Sequence, residues 1–462
     1  MNKKLNDIKT VYFIGIGGIG MSAIARFFKS RGVQVSGYDK TVTVLTRELE
    51  AAGIPVHYYE DVSQIPKYPD CVVYTPAIPA THQELLYYQT NGFDVVKRSD
   101  VLQLITESSF NICIAGTHGK TTITTMVAHI LRDSGYGCNA FLGGIAVNYG
   151  TNFWASDNNV CVVEADEYDR SFLKLNPDVA IITAMDADHL DIYGTANAME
   201  QAFINFSGKI KPNGLLVSRF GLKRAGALKG DRQATYSLQN ESADVYAENI
   251  KMMNGSYEFD VVWGEERIEN IRLNMGGMHN VENAVAAIAV ASSLEIDTEK
   301  IKAAVASFQG VKRRFEYIIK NDRLVFIDDY AHHPEELKAL ITGAKTLFRE
   351  KKCTIIFQPH LYTRTRDLAD GFAAVLDLAD EVILLPIYPA RELPIDGVSS
   401  EMILDKMNHA HKTVLSKEAL MQWIENGFSK KLNKEFGEIL ITAGAGDIDM
   451  MVEPIKKILK EI

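Results

Sequence analysis

Residues 111–122 read Asn-Ile-Cys-Ile-Ala-Gly-Thr-His-Gly-Lys-Thr-Thr, an apolar run that breaks into a glycine-flanked loop and ends in a lysine and two threonines. The pattern predicts a strand feeding a phosphate cradle. Glycines let backbone N–H groups close on phosphate oxygens, lysine adds a point charge, and a threonine hydroxyl can hold Mg2+. The next residues, Ile-Thr-Thr-Met-Val-Ala-His-Ile-Leu, have helical spacing, so the loop ends at a helix N-terminus. Gly116, Thr117, Gly119, Lys120, Thr121 and Thr122 are the candidate phosphate-binding residues. Ile114 stands where the full Walker pattern has its first glycine. A chain built on this unit is α/β, with a parallel sheet whose ligands collect beyond the strands' carboxyl ends.

At 462 residues the chain exceeds one ordinary core, and a prior of ~150 residues per domain suggests about three. The expected boundaries are 1–104, 105–310 and 311–462. Asp and Glu outnumber Lys and Arg by 59 to 49 with no long basic stripe, which argues against nucleic acid as the partner. Five cysteines without a Cys-x-x-Cys pair suit a reduced, cytoplasmic protein. Lys3 and Lys4 before an apolar stretch resemble a signal peptide, but Gly15, Gly17, Gly18 and Gly20 would break the helix it requires. No apolar run reaches the ~20 residues that span a bilayer, so no membrane partner is expected.

Two further sheets are expected around this centre. Residues 10–14 predict a first strand, and Gly15-x-Gly17-x-x-Gly20 supplies a tight turn between it and a helix at 21–30. The next strand, 33–38, ends at Asp39, where a ribose-binding acid stands in dinucleotide folds. That motif predicts a Rossmann-like domain with a phosphate at its first turn and leaves the nucleotide open. Residues 94–104 read as a link. In the centre, the strand 159–163 ends in Glu164-Ala-Asp166-Glu167-Tyr-Asp169, and Glu164 is the first candidate for a phosphate-bound Mg2+; the other acids read as a solvated turn. The strand 178–183 leads to Asp186-Ala-Asp188-His189-Leu-Asp191, where a histidine among acids can ligate a metal. His279-Asn280-Val-Glu-Asn283 opens an alanine-rich helix at 284–292; Asn280 suits an N-cap, or with Asn283 could present amides to a planar heterocycle. After residue 310, strands at 323–327, 354–357, 381–385 and 438–442 form another α/β sheet. Polar and cationic residues gather at its strand ends: Tyr330, His332, His360, Arg364 and Arg391.

Taken together, Gly15–Ser22, Gly116–Thr121, Glu164–Glu167, Asp188–Asp191, Asn280–Asn283, Arg313–Phe315, Asp328–Pro334, Gln358–His360 with Thr363–Asp367, and Gly444–Gly446 resemble the Mur ligases of peptidoglycan synthesis. The resemblance covers nearly the whole chain. It implies three domains: an N-terminal Rossmann-like domain, a central P-loop ATPase-like parallel sheet and a C-terminal Rossmann-like domain. The branch it is most similar to adds L-alanine to UDP-N-acetylmuramate, using ATP and Mg2+. The resemblance assigns the first turn, with Gly15, Gly17, Gly18, Ile19, Gly20, Met21 and Asp39, to UDP rather than NAD. It implies catalytic roles for Lys120, Glu164, His189 and Arg314. Thr121 and Glu164 would hold one metal ion, and His189 a second. Asn280 and Asn283 would face adenine, Arg314 the phosphates and Asp329 the ATP ribose, while Tyr330, His332, His360 and Arg364 would shape the alanine site. A monomer or homodimer is expected.

This sequence departs from the family pattern in several places. No lysine lies between His189 and Lys209, Leu361 follows His360 where many relatives have Arg, Ala184 and Asp186 replace Asn and Glu, and Arg391 stands at a place often held by Gly. Three other readings compete. A ligase that recycles an intact tripeptide is disfavoured by Gln358-Pro-His360. A nicotinamide-dependent dehydrogenase leaves residues 116–121 unexplained, and a P-loop signalling module needs no histidines and arginines in a third domain.

Overall fold

The computed structural model describes residues 4–168, 170–186, 190–390, 392–433 and 435–460. Three sheets succeed one another along the chain. The first contains β1 (Thr10–Ile14), β2 (Gln34–Tyr38), β3 (Val56–His57), β4 (Cys71–Tyr74) and β5 (Val95–Lys97), all parallel, in the order β3-β2-β1-β4-β5. The central sheet contains β6 (Phe110–Ala115), β7 (Asn139–Ala146), β8 (Thr151–Trp154), β9 (Val160–Glu164), β10 (Val179–Ile182), β11 (Leu215–Arg219), β12 (Arg232–Ser237), β13 (Val245–Met253), β14 (Ser256–Trp263) and β15 (Glu266–Leu273). Its order is β15-β14-β13-β12-β11-β10-β6-β9-β7-β8. The third contains β16 (Glu316–Lys320), β17 (Leu324–Asp329), β18 (Lys352–Phe357), β19 (Glu381–Leu384), β20 (Lys412–Val414) and β21 (Glu438–Ala443), in the order β16-β17-β21-β18-β19-β20. The chain is α/β throughout, and the strands read from apolar runs are present.

Packing explains why those runs are continuous rather than alternating. β1 buries both faces: Val11 and Phe13 pack with Ile24, Phe27 and Phe28 of the helix Ile19–Ser30, while Tyr12 and Ile14 pack with Leu85 and Tyr88. Parallel strands covered on both sides need apolar residues at every position. In the third sheet, Phe326, Ile356, Ile383 and Leu440 meet Leu420, Ile424 and Ile455 in the same way.

By packing, the chain divides into two compact units, one of Met1–Glu248, Asp260–Ile271 and Glu282–Ser307, the other of Asn249–Phe259, Arg272–Val281 and Phe308–Ile462. The first unit joins the N-terminal sheet to much of the central one. Phe27 lies 5.5 Å from Phe141 and 6.1 Å from Phe153 between ring centroids. The fully buried Asn152 donates its amide to Ile19 O at 2.6 Å and Ser22 Oγ at 2.9 Å. A buried amide that bonds two groups of one helical turn fixes that turn in place.

Two expectations need correction. Residues 94–104 are not a link: they supply β5 and the start of the helix Arg98–Glu107, so the boundary expected at 104 falls inside a helix. The Ala-rich helix begins at Met278, which puts Asn280 inside the first turn rather than at the N-cap. Among the described residues no helix is long and apolar enough to cross a membrane.

Candidate active site

β6 sits between β10 and β9, all three parallel. Their carboxyl ends therefore open side by side. Beyond β6 the chain turns through Gly116 (φ 134°) and Gly119 (φ 78°) into the helix Lys120–Asp133. Both angles favour glycine, and the surroundings demand it at Gly116, where a Cβ would overlap Thr183 Oγ1. Thr117 N–H donates to Ala184 O at 3.2 Å, and Thr183 Oγ1 donates to His118 O, so the strand end after β10 braces the loop. Thr117 is buried, as are Thr121 and Thr122.

Two acids from the end of β9 close on this loop. Thr121 Oγ1 donates to Glu164 Oε1 at 3.0 Å. The bare Cα of Gly143 in β7 makes room for that carboxylate, since a Cβ there would overlap Glu164 Oε2. A hydroxyl and a carboxylate oxygen are the hard donors Mg2+ takes beside substrate phosphates, usually with only one or two from protein. This pair fits that ion, and among the described residues no group of three His, Cys, Asp or Glu side chains gathers for a metal. His189 and Asp188 lie outside the described residues.

The second acid is one the sequence pattern hid. Glu167 is 1% exposed and accepts from Lys120 Nζ at 2.7 Å, while the same ammonium donates to Gly116 O at 2.6 Å. Burial pushes the Glu167 carboxyl above its ordinary range, and the Lys120 charge pulls it back. An ammonium has three donors, so two aim Lys120 across the loop and one is left for a phosphate oxygen. We expect Glu167→Gln to lower kcat about 10-fold, the scale of one charge-assisted hydrogen bond. Steady-state phosphate release checks this, and unaltered turnover would make Glu167 a packing residue only.

The amides at 280 and 283 do different things. Asn283 reaches the phosphate loop: its Oδ1 lies 2.9 Å from where a Cβ on Gly119 would stand. Asn280 is buried and donates its side-chain amide to Gly276 O at 2.6 Å, tying the helix start to the preceding turn.

At the first sheet, Gly15 (φ 87°) ends β1, and Gly18 N–H donates back to Gly15 O at 3.3 Å. Asp39 at the end of β2 accepts from Gly17 N–H at 2.7 Å and from Thr41 N–H at 3.1 Å. A Cβ on Gly17 would lie 2.7 Å from Asp39 Oδ2, so the glycine is what lets the acid reach the turn. Ile19, Gly20 and Met21 begin the next helix, with Met21 buried.

In the second unit, the carboxyl ends of β17, β21, β18 and β19 face one edge. His360 lies 6.2 Å from His332 and 5.8 Å from Tyr388 between ring centroids, and Tyr330 is 5.2 Å from His332. Arg364 Nη1 lies 3.3 Å from His360 Nδ1. Burial lowers the pKa of both His332 and His360, and the Arg364 charge lowers it further. Both effects favour the neutral rings. Leu361 holds φ 70° and ψ 135°, a conformation costly for any residue with a side chain. Its N–H donates to Tyr388 O at 2.9 Å, and Tyr388 N–H to Pro359 O at 2.9 Å. That pair of bonds pins the elbow that presents His360.

Arg313 and Arg314 separate into a structural and an exposed guanidinium. Arg313 pairs with the buried Asp328 at 3.3 Å and lies 5.1 Å from the Tyr330 ring centroid. Arg314 is exposed, and its charge acts on Asp329. Asp329 accepts from Phe315 N–H at 2.6 Å and Ala331 N–H at 2.7 Å, and burial brings its pKa up to about 6. Its carboxylate thus braces the local turns, with lone pairs remaining for a ligand hydroxyl. Arg391 lies outside the described residues.

A phosphate loop, an acid-backed hydroxyl and a paired lysine on a parallel sheet's carboxyl edge define an α/β enzyme of the P-loop type. Three domain families match in series: the Mur ligase family catalytic domain over residues 10–109, the Mur ligase middle domain over 114–291, and the Mur ligase glutamate ligase domain over 313–446. The chain belongs to the Mur ligase family. It is 49% identical over 462 residues to a UDP-N-acetylmuramate–L-alanine ligase of Parabacteroides distasonis, covering 98% of both chains. The ligase of the same description from Phocaeicola vulgatus is 48% identical over 465 residues, 99% of each. The crystal structure of the UDP-N-acetylmuramate-alanine ligase of Thermotoga maritima matches with a TM-score of 0.82 at 29% identity, over 98% of this chain and 99% of that one.

Proposed function

We propose that this chain joins L-alanine to the lactyl carboxylate of UDP-N-acetylmuramate, converting ATP to ADP and phosphate, in peptidoglycan precursor synthesis. The observation that carries the reading is Lys120 and the Thr121–Glu164 pair at one carboxyl edge, in a chain related over its full length to ligases of that description. A carboxylate oxygen attacks the γ-phosphorus and ADP departs with the electrons of the broken P–O bond. The alanine amine then attacks the acyl carbon, phosphate leaves, and the amine proton is lost.

Roles follow from chemistry. Two anions must meet for the first step, and Lys120 reduces their repulsion as charge moves. When bound, Mg2+ would draw charge from the phosphate oxygens; Thr121 and Glu164 would hold it, with His189 at a second ion. On this reading backbone amides from Gly116 to Thr122 would hold phosphates, Asn283 and Asn280 would serve adenine, Arg314 the phosphates and Asp329 the ribose. The segment through Glu107 takes the UDP-sugar at Gly15–Met21 and Asp39, the segment to about residue 310 takes ATP, and the remainder takes alanine. Five buried free thiols and an ATP substrate suit a cytoplasmic protein, working as a monomer or homodimer.

In the alanine site a guanidinium fork fits a carboxylate, and neutral His332 and His360 can orient an amine or accept its proton. With Leu361 unable to bind a carboxylate, Arg364 carries that contact, beside Tyr330. Arg364→Ala should raise KM for alanine ~10-fold or more and leave KM for ATP unchanged. An equal rise in both would indicate general damage to this unit. The reaction itself is tested by phosphate release from ATP and UDP-N-acetylmuramate with alanine, with tripeptide and with neither. Turnover with tripeptide but not alanine would sink the proposal.

A further inference from the structure

The first glycine turn, Gly15 to Met21, contains no lysine or arginine, and the ionisable side chain it bonds is an acid, Asp39. Of the turn's own groups, a diphosphate seated there would meet a carboxylate and helix-terminal amides equivalent to about half a charge. Lys120 is aimed across its own loop by Glu167 and Gly116. One guanidinium does lie against the turn. Arg98, at the start of the helix Arg98–Glu107, rests on the bare Cα of Gly20, where a Cβ would overlap its Nη1. Its Nη2 donates to Asp166 Oδ2 at 3.1 Å, and with 28% of its side chain exposed it is open to a ligand. Arg98, Gly20, Ala23, Gly143, Glu164 and Asp166 line one cleft of about 120 Å3, which runs from the glycine turn to the acids beside the phosphate loop. Asn152 holds the turn's helix rigid on the other side.

Resting on the sugar-nucleotide reading of this site, we infer that Arg98 is a substrate-binding residue whose guanidinium exchanges Asp166 for the diphosphate at the glycine turn. A planar fork suits phosphate oxygens bidentately, and the Asp166 pair keeps it aimed while the site is empty. A purely structural tie would behave differently, because it would need both partners.

Calorimetry on the full chain separates the two, with UDP, UDP-N-acetylmuramate and ATP as ligands. Arg98→Ala should weaken UDP and UDP-N-acetylmuramate ~10-fold or more, Arg98→Lys should recover part, and ATP affinity should not move. Asp166→Asn should leave UDP binding equal or tighter. The inference is overturned if Arg98→Ala binds UDP like wild type, if only the muramate form is weakened, or if Asp166→Asn weakens UDP as much as Arg98→Ala does. Should Arg98→Ala not fold, Arg98→Gln carries the same comparison. Wild-type protein that binds neither uridine ligand would overturn the functional reading itself, and this inference with it.

Discussion

Lys120→Ala is expected to lower kcat by at least ~100-fold, with a smaller change in ATP affinity. Preorganised charges facing the transferring group contribute on that scale in closed sites. Lys120 is preorganised: Gly116 O and Glu167 hold its ammonium across the loop mouth. Truncation also leaves Glu167 a buried carboxylate without its cation, so the melting temperature should fall as well. Lys120→Met separates the two effects when paired with Glu167→Gln, since the double variant removes both charges. Quenched-flow measurement of the first turnover reports the chemical step, and near-normal turnover in Lys120→Ala would refute the role.

Gly116→Ala should be as damaging by another route. At φ 134° an alanine is strained, which costs on the order of 1–3 kcal/mol from the backbone alone. Its methyl would overlap Thr183 Oγ1 and lie 2.8 Å from Ala184 N. The loop must shift, and with it the amides proposed to bind phosphate and the carbonyl that aims Lys120. Loss of measurable ATP binding together with a lowered unfolding midpoint is the expected result. Gly150→Ala is the control, having a positive φ of 62° but nothing within 4 Å of its added carbon; it should bind ATP normally.

The parallel strands were legible because burial on both faces leaves unbroken apolar runs: residues 112–115 and 179–182 are buried at every position. The phosphate loop was legible because its glycines and lysine are contiguous. β13, with buried and exposed positions mixed along Val-Tyr-Ala-Glu-Asn-Ile-Lys-Met-Met, has no such run and stayed hidden. The Glu167–Lys120 pair joins residues 47 apart, and a row of acids after a strand looks the same whether solvated or buried. Arg98 was lost in what read as a link, since a three-residue edge strand is too short to show a period. The elbow at Leu361 was invisible for another reason: a leucine carries no local sign of a left-handed backbone.

The aromatic contact of Phe27 with Phe141 and Phe153 bears on how this enzyme can be handled. A piece ending near residue 107 would keep its own five-stranded sheet yet bring one side of that ring cluster into water, with Ile19 O and Ser22 Oγ stripped of Asn152. Such a patch invites self-association. The N-terminal sheet is therefore best studied still attached to its neighbour, which covers Phe27 and bonds Ile19 O and Ser22 Oγ.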